Sequence, residues 1–124
     1  MRIGLASDHR GYKLKEYLKE ELSKLDYEVE DYGTNSEEST DYPDYAFALG
    51  EAIVASKVNK GIAICGSGIG ISIACNKVKG IRCTLVVNKE DAYRAKAHIN
   101  ANVLALGSEK TSLTEAFEIV KNGT

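Results

Sequence analysis

Strand-like and helix-like segments alternate along the chain, and this alternation limits the possible folds more than any other feature. Apolar and β-branched runs predict strands over residues 1–7, 27–32, 61–65, 81–87 and 103–106. Helices are predicted over residues 11–25, 45–55, 69–78, 89–98 and 112–120. Such alternation favours a parallel sheet, and right-handed crossovers place helices on both of its faces. We therefore predict one α/β domain over residues 1–124, a three-layer α/β/α sandwich with a five-stranded parallel sheet (Rossmann-like).

The composition is that of an ordinary globular protein, with 44% hydrophobic and 27% charged residues in a chain of 124. A formal net charge of −2 gives no reason to expect nucleic acid or an acidic membrane surface as a partner. No apolar run approaches transmembrane length, and no signal-peptide pattern precedes the first strand. The three cysteines contain no C-x-x-C pair, so a reducing cytoplasm is the expected location.

A glycine loop directly follows the third predicted strand. The strand ends in Cys65, and the loop Gly66-Ser67-Gly68-Ile69-Gly70 leads into the third helix. Backbone N–H groups and a helix N-terminus favour negative charge, and they also stabilise a thiolate. The loop can therefore supply a base and hold an anion. The alternative for Cys65 is a small buried hydrophobe, which is our interpretation of Cys75 and Cys83.

Several familiar loops and sites are excluded by the neighbouring residues. A dinucleotide fingerprint would need glycine, and a cysteine phosphatase loop would need arginine, where this chain has Ile71. A P-loop would need a Gly-Lys-Ser/Thr sequence, which is absent. The two histidines and three cysteines have no zinc-ligand spacing, so no metal site is predicted.

A second group of polar residues, Asp8, His9 and Arg10, follows the first predicted strand. A sheet that begins in the order 2-1-3 has a switch point between the first and third strands, and ligands bind there at the carboxyl ends. Asp8 is alternatively an ordinary helix N-cap. His9, flanked by Asp8 and Arg10, is a candidate for binding an anion or moving a proton.

His98 is predicted to lie far from Cys65 within one subunit. It ends a helix that returns to the start of the fifth strand, and this point is near the amino edge of a parallel sheet. A catalytic His98 would therefore serve a neighbouring subunit. The alternative is an exposed histidine that interacts with the helix dipole.

Collinear motifs over nearly the whole chain resemble those of one family. They are Ser7-Asp8-His9 with Gly11, Asp31-Tyr32-Gly33-Thr34, Thr40-Asp41-Tyr42-Pro43, the run from Ile64 to Ser72 with Asn76-Lys77, Gly80-Ile81-Arg82, and His98 with Asn102-Val103-Leu104 and Gly107-Ser108. The chain resembles the ribose-5-phosphate isomerase B family, which includes allose-6-phosphate isomerase and the two galactose-6-phosphate isomerase subunits. The resemblance implies interconversion of aldose and ketose phosphates, with ribose 5-phosphate and ribulose 5-phosphate of the pentose phosphate pathway as the expected pair.

The resemblance further implies that no metal or organic cofactor is used and that the protein is a homodimer or a dimer of dimers with sites between subunits. Cys65 matches the base that moves a proton between two sugar carbons. Ile71 occupies the position where some members carry a glutamate base, so Cys65 is the only candidate for the base. The expected substrate-binding positions are Asp8, His9, Gly66, Ser67, Gly68, Ile69, Gly70 and Asn100. Ser67 is also expected to shuttle a proton between oxygens, and His98 matches the residue that opens the sugar ring.

Two departures from the family pattern concern asparagine and the phosphate clamp. Many members have asparagine directly after the histidine, where this chain has Ile99 and then Asn100. Members commonly carry arginine where this chain has Glu109, and further arginines in a C-terminal extension beyond the position of Thr124. The alternative hypothesis is therefore a non-catalytic or partner-dependent phosphosugar-binding subunit. Cationic candidates for the clamp are Arg10, Lys13, Arg94 and Lys110.

Overall fold

Five strands and five α-helices alternate in the computed structural model, which describes residues 1–124. The strands are β1 (Arg2–Ser7), β2 (Glu28–Asp31), β3 (Lys60–Cys65), β4 (Cys83–Leu85) and β5 (Val103–Gly107). The helices are α1 (Tyr12–Lys24), α2 (Tyr42–Val54), α3 (Ile69–Asn76), α4 (Lys89–Ala97) and α5 (Leu113–Gly123). A short 3₁₀ turn, His9–Gly11, connects β1 to α1. The predicted α/β fold with a five-stranded parallel sheet is confirmed.

The strand order is β2-β1-β3-β5-β4, and every neighbouring pair is parallel. Chain connections run outward in opposite directions from β1 and β3, so a switch point lies between these two strands. Ser7 is opposite Ile64 in their register, and Cys65 is opposite Gly107 of β5. The residues that follow β1 and β3 therefore emerge side by side at one edge of the sheet.

Each face of the sheet carries its own apolar core. On one face, Ile62 and Ile64 of β3 pack with side chains from α1, α4 and α5. On the other face, Ala63 and Cys65 pack with side chains from α2 and α3. Successive side chains of a strand point to opposite faces, and this alternation places Cys65 in the layer of α2 and α3.

Helix α2 begins three residues before its predicted start. The side chain of Asp41 accepts a hydrogen bond from the backbone N–H of Tyr42, and Pro43 occupies the first turn. Proline is well tolerated there because the first N–H groups of a helix have no partner within the helix. Pro43, which precedes the predicted start at residue 45, therefore lies inside the helix.

Strand β4 is shorter than predicted, three residues in place of the expected 81–87. It is an edge strand that pairs only with β5, over Cys83 to Leu85. Apolar character alone indicated a longer strand, but Ile81 instead donates its N–H to the carbonyl of Val78 in a turn. Helix α5 is longer than predicted and extends to Gly123.

None of the five helices has both the length and the apolar character that crossing a lipid bilayer requires.

Candidate active site

Cys65 ends β3, and the chain turns at Gly68 before α3 begins at Ile69. The backbone N–H of Gly68 donates a hydrogen bond to the sulfur of Cys65, with an N···Sγ distance of 3.1 Å. An N–H directed at sulfur stabilises negative charge on it. The predicted contact between thiol and loop amides is thus present for Gly68.

The conformation at Gly68 admits only glycine. Its φ of +79° lies in the left-handed region, and a Cβ atom would come within 2.6 Å of Leu85 Cδ1 and 2.9 Å of the carbonyl carbon of Leu106. Neither the backbone angle nor the space suits a side chain. The turn that brings the N–H to the sulfur therefore depends on this residue.

A cavity of about 310 Å³ opens at the carboxyl ends of β1 and β3. Cys65 is only 4% exposed, yet it borders this cavity. Cys65 therefore packs with side chains of α2 and α3 and also belongs to the lining of the cavity. The lining residues are Asp8, His9, Arg10, Thr40, Asp41, Tyr42, Cys65, Gly66, Ser67, Gly70 and Glu109.

Asp8 both caps the 3₁₀ turn and lines the cavity. One of its oxygens, Oδ1, accepts hydrogen bonds from the backbone N–H groups of Arg10 at 3.0 Å and Gly11 at 3.1 Å. The structural role that was left as an alternative for Asp8 is therefore present, and it fixes the carboxylate at the edge of the cavity.

The His9 ring is held by the loop that precedes α2. Its Nδ1 atom lies 3.1 Å from the carbonyl oxygen of Thr40 and 3.2 Å from the backbone nitrogen of Thr40. One of these contacts is a hydrogen bond in either tautomer, because Nδ1 donates to the carbonyl when protonated and accepts from the N–H otherwise. Nδ1 is thus occupied, and Nε2 is the ring nitrogen left for a ligand in the cavity.

The glycine loop presents Ser67, Gly66 and Gly70 to the cavity. Ser67 Oγ accepts a hydrogen bond from the N–H of Ile69 at 3.1 Å, which leaves the hydroxyl proton free to be donated. The N–H groups of Gly68 and Ile69 donate to Cys65 and Ser67. Neither Gly68 nor Ile69 lines the cavity. Their role in substrate binding stays a prediction.

His98 and Asn100 lie away from this cavity. Gly107 of β5 lies opposite Cys65, and β5 begins about 13 Å away at Val103. His98 and Asn100 precede Val103, so they lie at the amino edge of the sheet. The side chain of His98 is exposed, and its ring packs edge-on against Tyr93 with a centroid distance of 6.2 Å. The predicted separation of His98 from Cys65 within one chain is therefore present.

A second and larger cleft, of about 420 Å³, lies beside His98. It contains no cysteine and no glycine loop, so its larger size does not make it the better candidate for chemistry. Its lining residues are Lys89, Glu90, Tyr93, Arg94, His98 and Asn122.

The prediction of site residues omitted Thr40, Asp41 and Tyr42, which line the cavity together with Glu109 and with Arg10, one of the four clamp candidates. The first three belong to a motif that indicated family resemblance but had been given no place in the site. Its position became clear only with the strand order, because α2 packs beside α3 and brings its own start to the glycine loop. A Cβ on Gly70 would come 2.7 Å from the Tyr42 ring, which shows how closely these segments meet.

The other two cysteines have no such setting. Cys75 is buried, and its hydrogen bond with Cys83, together with burial, raises the pKa of the Cys83 thiol far above its usual value. Cys83 therefore stays a neutral thiol near pH 7. No group of three or more His, Cys, Asp or Glu side chains is arranged to hold a metal ion.

Comparison with known proteins gives consistent results. The profile of the Ribose/Galactose Isomerase family matches residues 3–122. The ribose-5-phosphate isomerase B of Escherichia coli is 42% identical over 119 residues, which are 96% of this chain and 80% of that protein. The structure of Clostridium thermocellum ribose-5-phosphate isomerase B aligns with a TM-score of 0.98 and 46% identity, covering 99% of this chain and 83% of that one.

A further structure carries a ligand. The ribose-5-phosphate isomerase B of Mycoplasma genitalium, solved with bound ribulose 5-phosphate, aligns with a TM-score of 0.93 and 40% identity over 98% of this chain and 82% of that one. Sequence and structure therefore agree over nearly the whole length of the chain. The protein belongs to the ribose/galactose isomerase family.

Proposed function

We propose that this protein is an aldose–ketose isomerase that interconverts ribose 5-phosphate and ribulose 5-phosphate, with Cys65 as the base. The observation that carries the proposal is Cys65, which lines a cavity while its sulfur accepts the N–H of Gly68. Family membership supports the reaction class. The relative from Mycoplasma genitalium, solved with ribulose 5-phosphate, supports this choice of substrate.

The proposed reaction moves one proton between neighbouring carbons. The thiolate of Cys65 takes the proton from C2 of the open-chain aldose, and the C–H electrons form a C1–C2 double bond as charge moves onto the carbonyl oxygen. The thiol then returns the proton to C1, and C2 becomes the ketone carbon as the proton of the O2 hydroxyl moves to the oxygen on C1. A positioned base contributes about 10²–10⁴-fold to such a step.

Charge on the enediolate must be stabilised as it develops. A backbone or side-chain donor aimed at that oxygen is worth roughly 3–4 kcal/mol in the transition state. The free hydroxyl proton of Ser67 is a donor that borders the cavity, and Nε2 of His9 is a second donor when Nδ1 accepts the N–H of Thr40. Ser67 is also placed to move a proton between the two substrate oxygens, since its hydroxyl both donates and accepts.

The proposed enzyme is a homodimer, or a dimer of dimers, with sites between subunits. Two large apolar side chains of α3, Ile69 and Ile73, are 53% and 56% exposed. They lie beside a small apolar cleft that includes Pro43 and Phe47 of α2. Adjacent exposed apolar groups of this kind favour an interface. A second copy on this face is the means by which a His98 side chain would reach the cavity of Cys65.

An isomerisation assay on the purified protein tests the proposal. Ribose 5-phosphate, allose 6-phosphate and galactose 6-phosphate should be compared, with C2 proton exchange in deuterated water followed by NMR. We expect turnover of ribose 5-phosphate without a partner chain, and loss of both turnover and exchange in Cys65→Ala. Cys83→Ala is the matched control, because it removes a thiol that does not border the cavity.

Unchanged exchange in Cys65→Ala would reject the assigned base. Binding of ribose 5-phosphate without turnover would favour the partner-dependent subunit instead. We further propose a place in the pentose phosphate pathway of the cytoplasm, which the proposed activity supports.

A further inference from the structure

The lining of the cavity at Cys65 includes a single arginine and no lysine. Arg10 is this arginine, and it meets Glu109, with an Nη1···Oε1 distance of 3.5 Å. Both side chains pass over the glycine loop. A Cβ built on Gly66 would come 3.0 Å from Arg10 Cδ and 3.1 Å from Glu109 Oε1. The pair therefore lies directly beside the residue that follows Cys65.

The three carboxylates of the cavity are not equivalent. Asp8 and Asp41 accept hydrogen bonds from backbone N–H groups at the starts of the 3₁₀ turn and α2. The Glu109 carboxylate has Arg10 as its only partner. Its backbone is fixed, because the N–H of Glu109 donates to the carbonyl of Gly66 at 3.0 Å. Glu109 is thus anchored so that its side chain can reach the one cation of the site.

We infer that Arg10 binds the phosphate group of the substrate and that Glu109 competes with the phosphate for Arg10. This inference rests on the proposed function, which supplies the phosphorylated substrate. A planar guanidinium matches phosphate oxygens in a two-point contact. The two side chains are 62% and 59% exposed, and an exposed ion pair of this kind is weak. An incoming phosphate, with more charge than a carboxylate, can displace Glu109 from Arg10.

Glu109 then sets how strongly an anion must bind in order to occupy Arg10. A neutral sugar leaves the Arg10–Glu109 pair intact, whereas a phosphate dianion replaces it. The pair therefore lowers the affinity of every anion that binds Arg10 and leaves that of a neutral sugar unchanged.

Two measurements test the inference: KM for ribose 5-phosphate, and the dissociation constant of inorganic phosphate by calorimetry. We expect Arg10→Ala to raise both by about tenfold, as loss of a charged hydrogen bond does. We expect Glu109→Gln to lower both by about 2–5-fold, the worth of an exposed ion pair. Arg10→Lys should lie between wild type and Arg10→Ala, because it keeps the charge and loses the two-point contact.

Lys13→Ala is the matched control. It also removes one positive charge, three residues further along the chain, from a side chain that pairs with Glu37 and does not line the cavity. We expect no change in either constant. Unchanged constants in Arg10→Ala would overturn the inference, as would equal changes in Lys13→Ala.

The double variant Arg10→Ala/Glu109→Gln tests the competition itself. If Glu109 acts through Arg10, its substitution should have little effect once Arg10 is gone. An equal gain in both backgrounds would overturn the competition. Calorimetry separates this inference from the proposed function: phosphate binding that depends on Arg10 supports the inference even if no sugar phosphate is turned over. Turnover with an unchanged KM in Arg10→Ala rejects the inference alone.

Discussion

At the scale of single residues, the setting of Cys65 depends on a backbone group rather than on a charged neighbour. The N–H of Gly68 is the only hydrogen-bond donor that meets its sulfur. That N–H is aimed by a left-handed turn, so the proposed base depends on a residue that itself carries no functional group. The same residue is packed against the backbone of β5, which leaves no room for a side chain.

Gly68→Ala should therefore damage activity more than stability alone explains. Gly80→Ala is its control, because Gly80 also has a positive φ but a Cβ there would meet only Val54 Cγ2, at 3.3 Å. Gly80→Ala should lower the free energy of unfolding by about 1–2 kcal/mol through backbone strain, and Gly68→Ala should lower it by more, because its Cβ would also meet the backbone of β5. Gly68→Ala should in addition lower kcat by about 10²-fold, the usual effect of losing a positioned donor.

Urea unfolding of both variants gives the free energy of unfolding, and steady-state kinetics gives kcat. Full activity in Gly68→Ala, under conditions where urea unfolding shows both variants to be folded, would show that the turn at Gly68 does not serve the site.

At the scale of secondary-structure elements, a buried ion pair joins α1 to β2. The Lys15 side chain is fully buried, and its Nζ lies 2.6 Å from Asp31 Oδ2 and 2.8 Å from Glu16 Oε2. Burial acts to raise the pKa of Asp31, but hydrogen bonds from Lys15, the N–H of Gly33 and Lys19 outweigh it, so the pKa is lowered. The ionised carboxylate is thus favoured in the folded protein.

The lowered pKa of Asp31 determines how the stability of the fold changes with pH. A carboxyl group with a lowered folded pKa stabilises the fold fully above its ordinary value of 3.8, and this contribution is lost as pH falls through the folded value. Asp31→Asn should cost about 3 kcal/mol of unfolding free energy at pH 7, because it leaves the buried Lys15 with one negatively charged partner fewer. The difference from wild type should shrink as pH falls below about 4.

Urea unfolding at several pH values measures this difference. Glu118→Gln is the control, since Glu118 pairs with Lys121 on the surface and its loss should matter far less. A gap between wild type and Asp31→Asn that stays constant down to pH 3 would contradict the assignment.

How much of these elements the sequence could predict depends on the range of the interaction that fixes them. The convergence of Asp8 with Cys65 was predictable, because it needs only two parallel strands and their order at a switch point. The contact of Arg10 with Glu109 was not, because it joins residues 99 apart through side-chain positions on two loops. Local rules also failed at the start of α2, since Pro43 lies inside a helix that was predicted to begin at residue 45.

At the scale of the whole molecule, the exposed apolar face of α3 predicts self-association. We expect light scattering to give at least twice the 13.5 kDa mass of one chain. Ile73→Glu should shift the protein toward the monomer, because a charge buried in an apolar interface lacks a partner. Val54→Glu is a matched control at 55% exposure, at the carboxyl end of α2. Dissociation by Val54→Glu but not by Ile73→Glu would move the interface elsewhere.

A site shared between subunits makes a stronger prediction than self-association does, because two defective chains should then repair each other. Cys65→Ala and His98→Ala chains are each expected to give poorly active homodimers. When the two are unfolded together and refolded, half of the dimers are mixed, and each mixed dimer holds one site with both residues intact. Activity should recover to about one quarter of wild type. A site built within one chain gives no recovery, so activity that stays at the level of the separate variants would exclude a shared site.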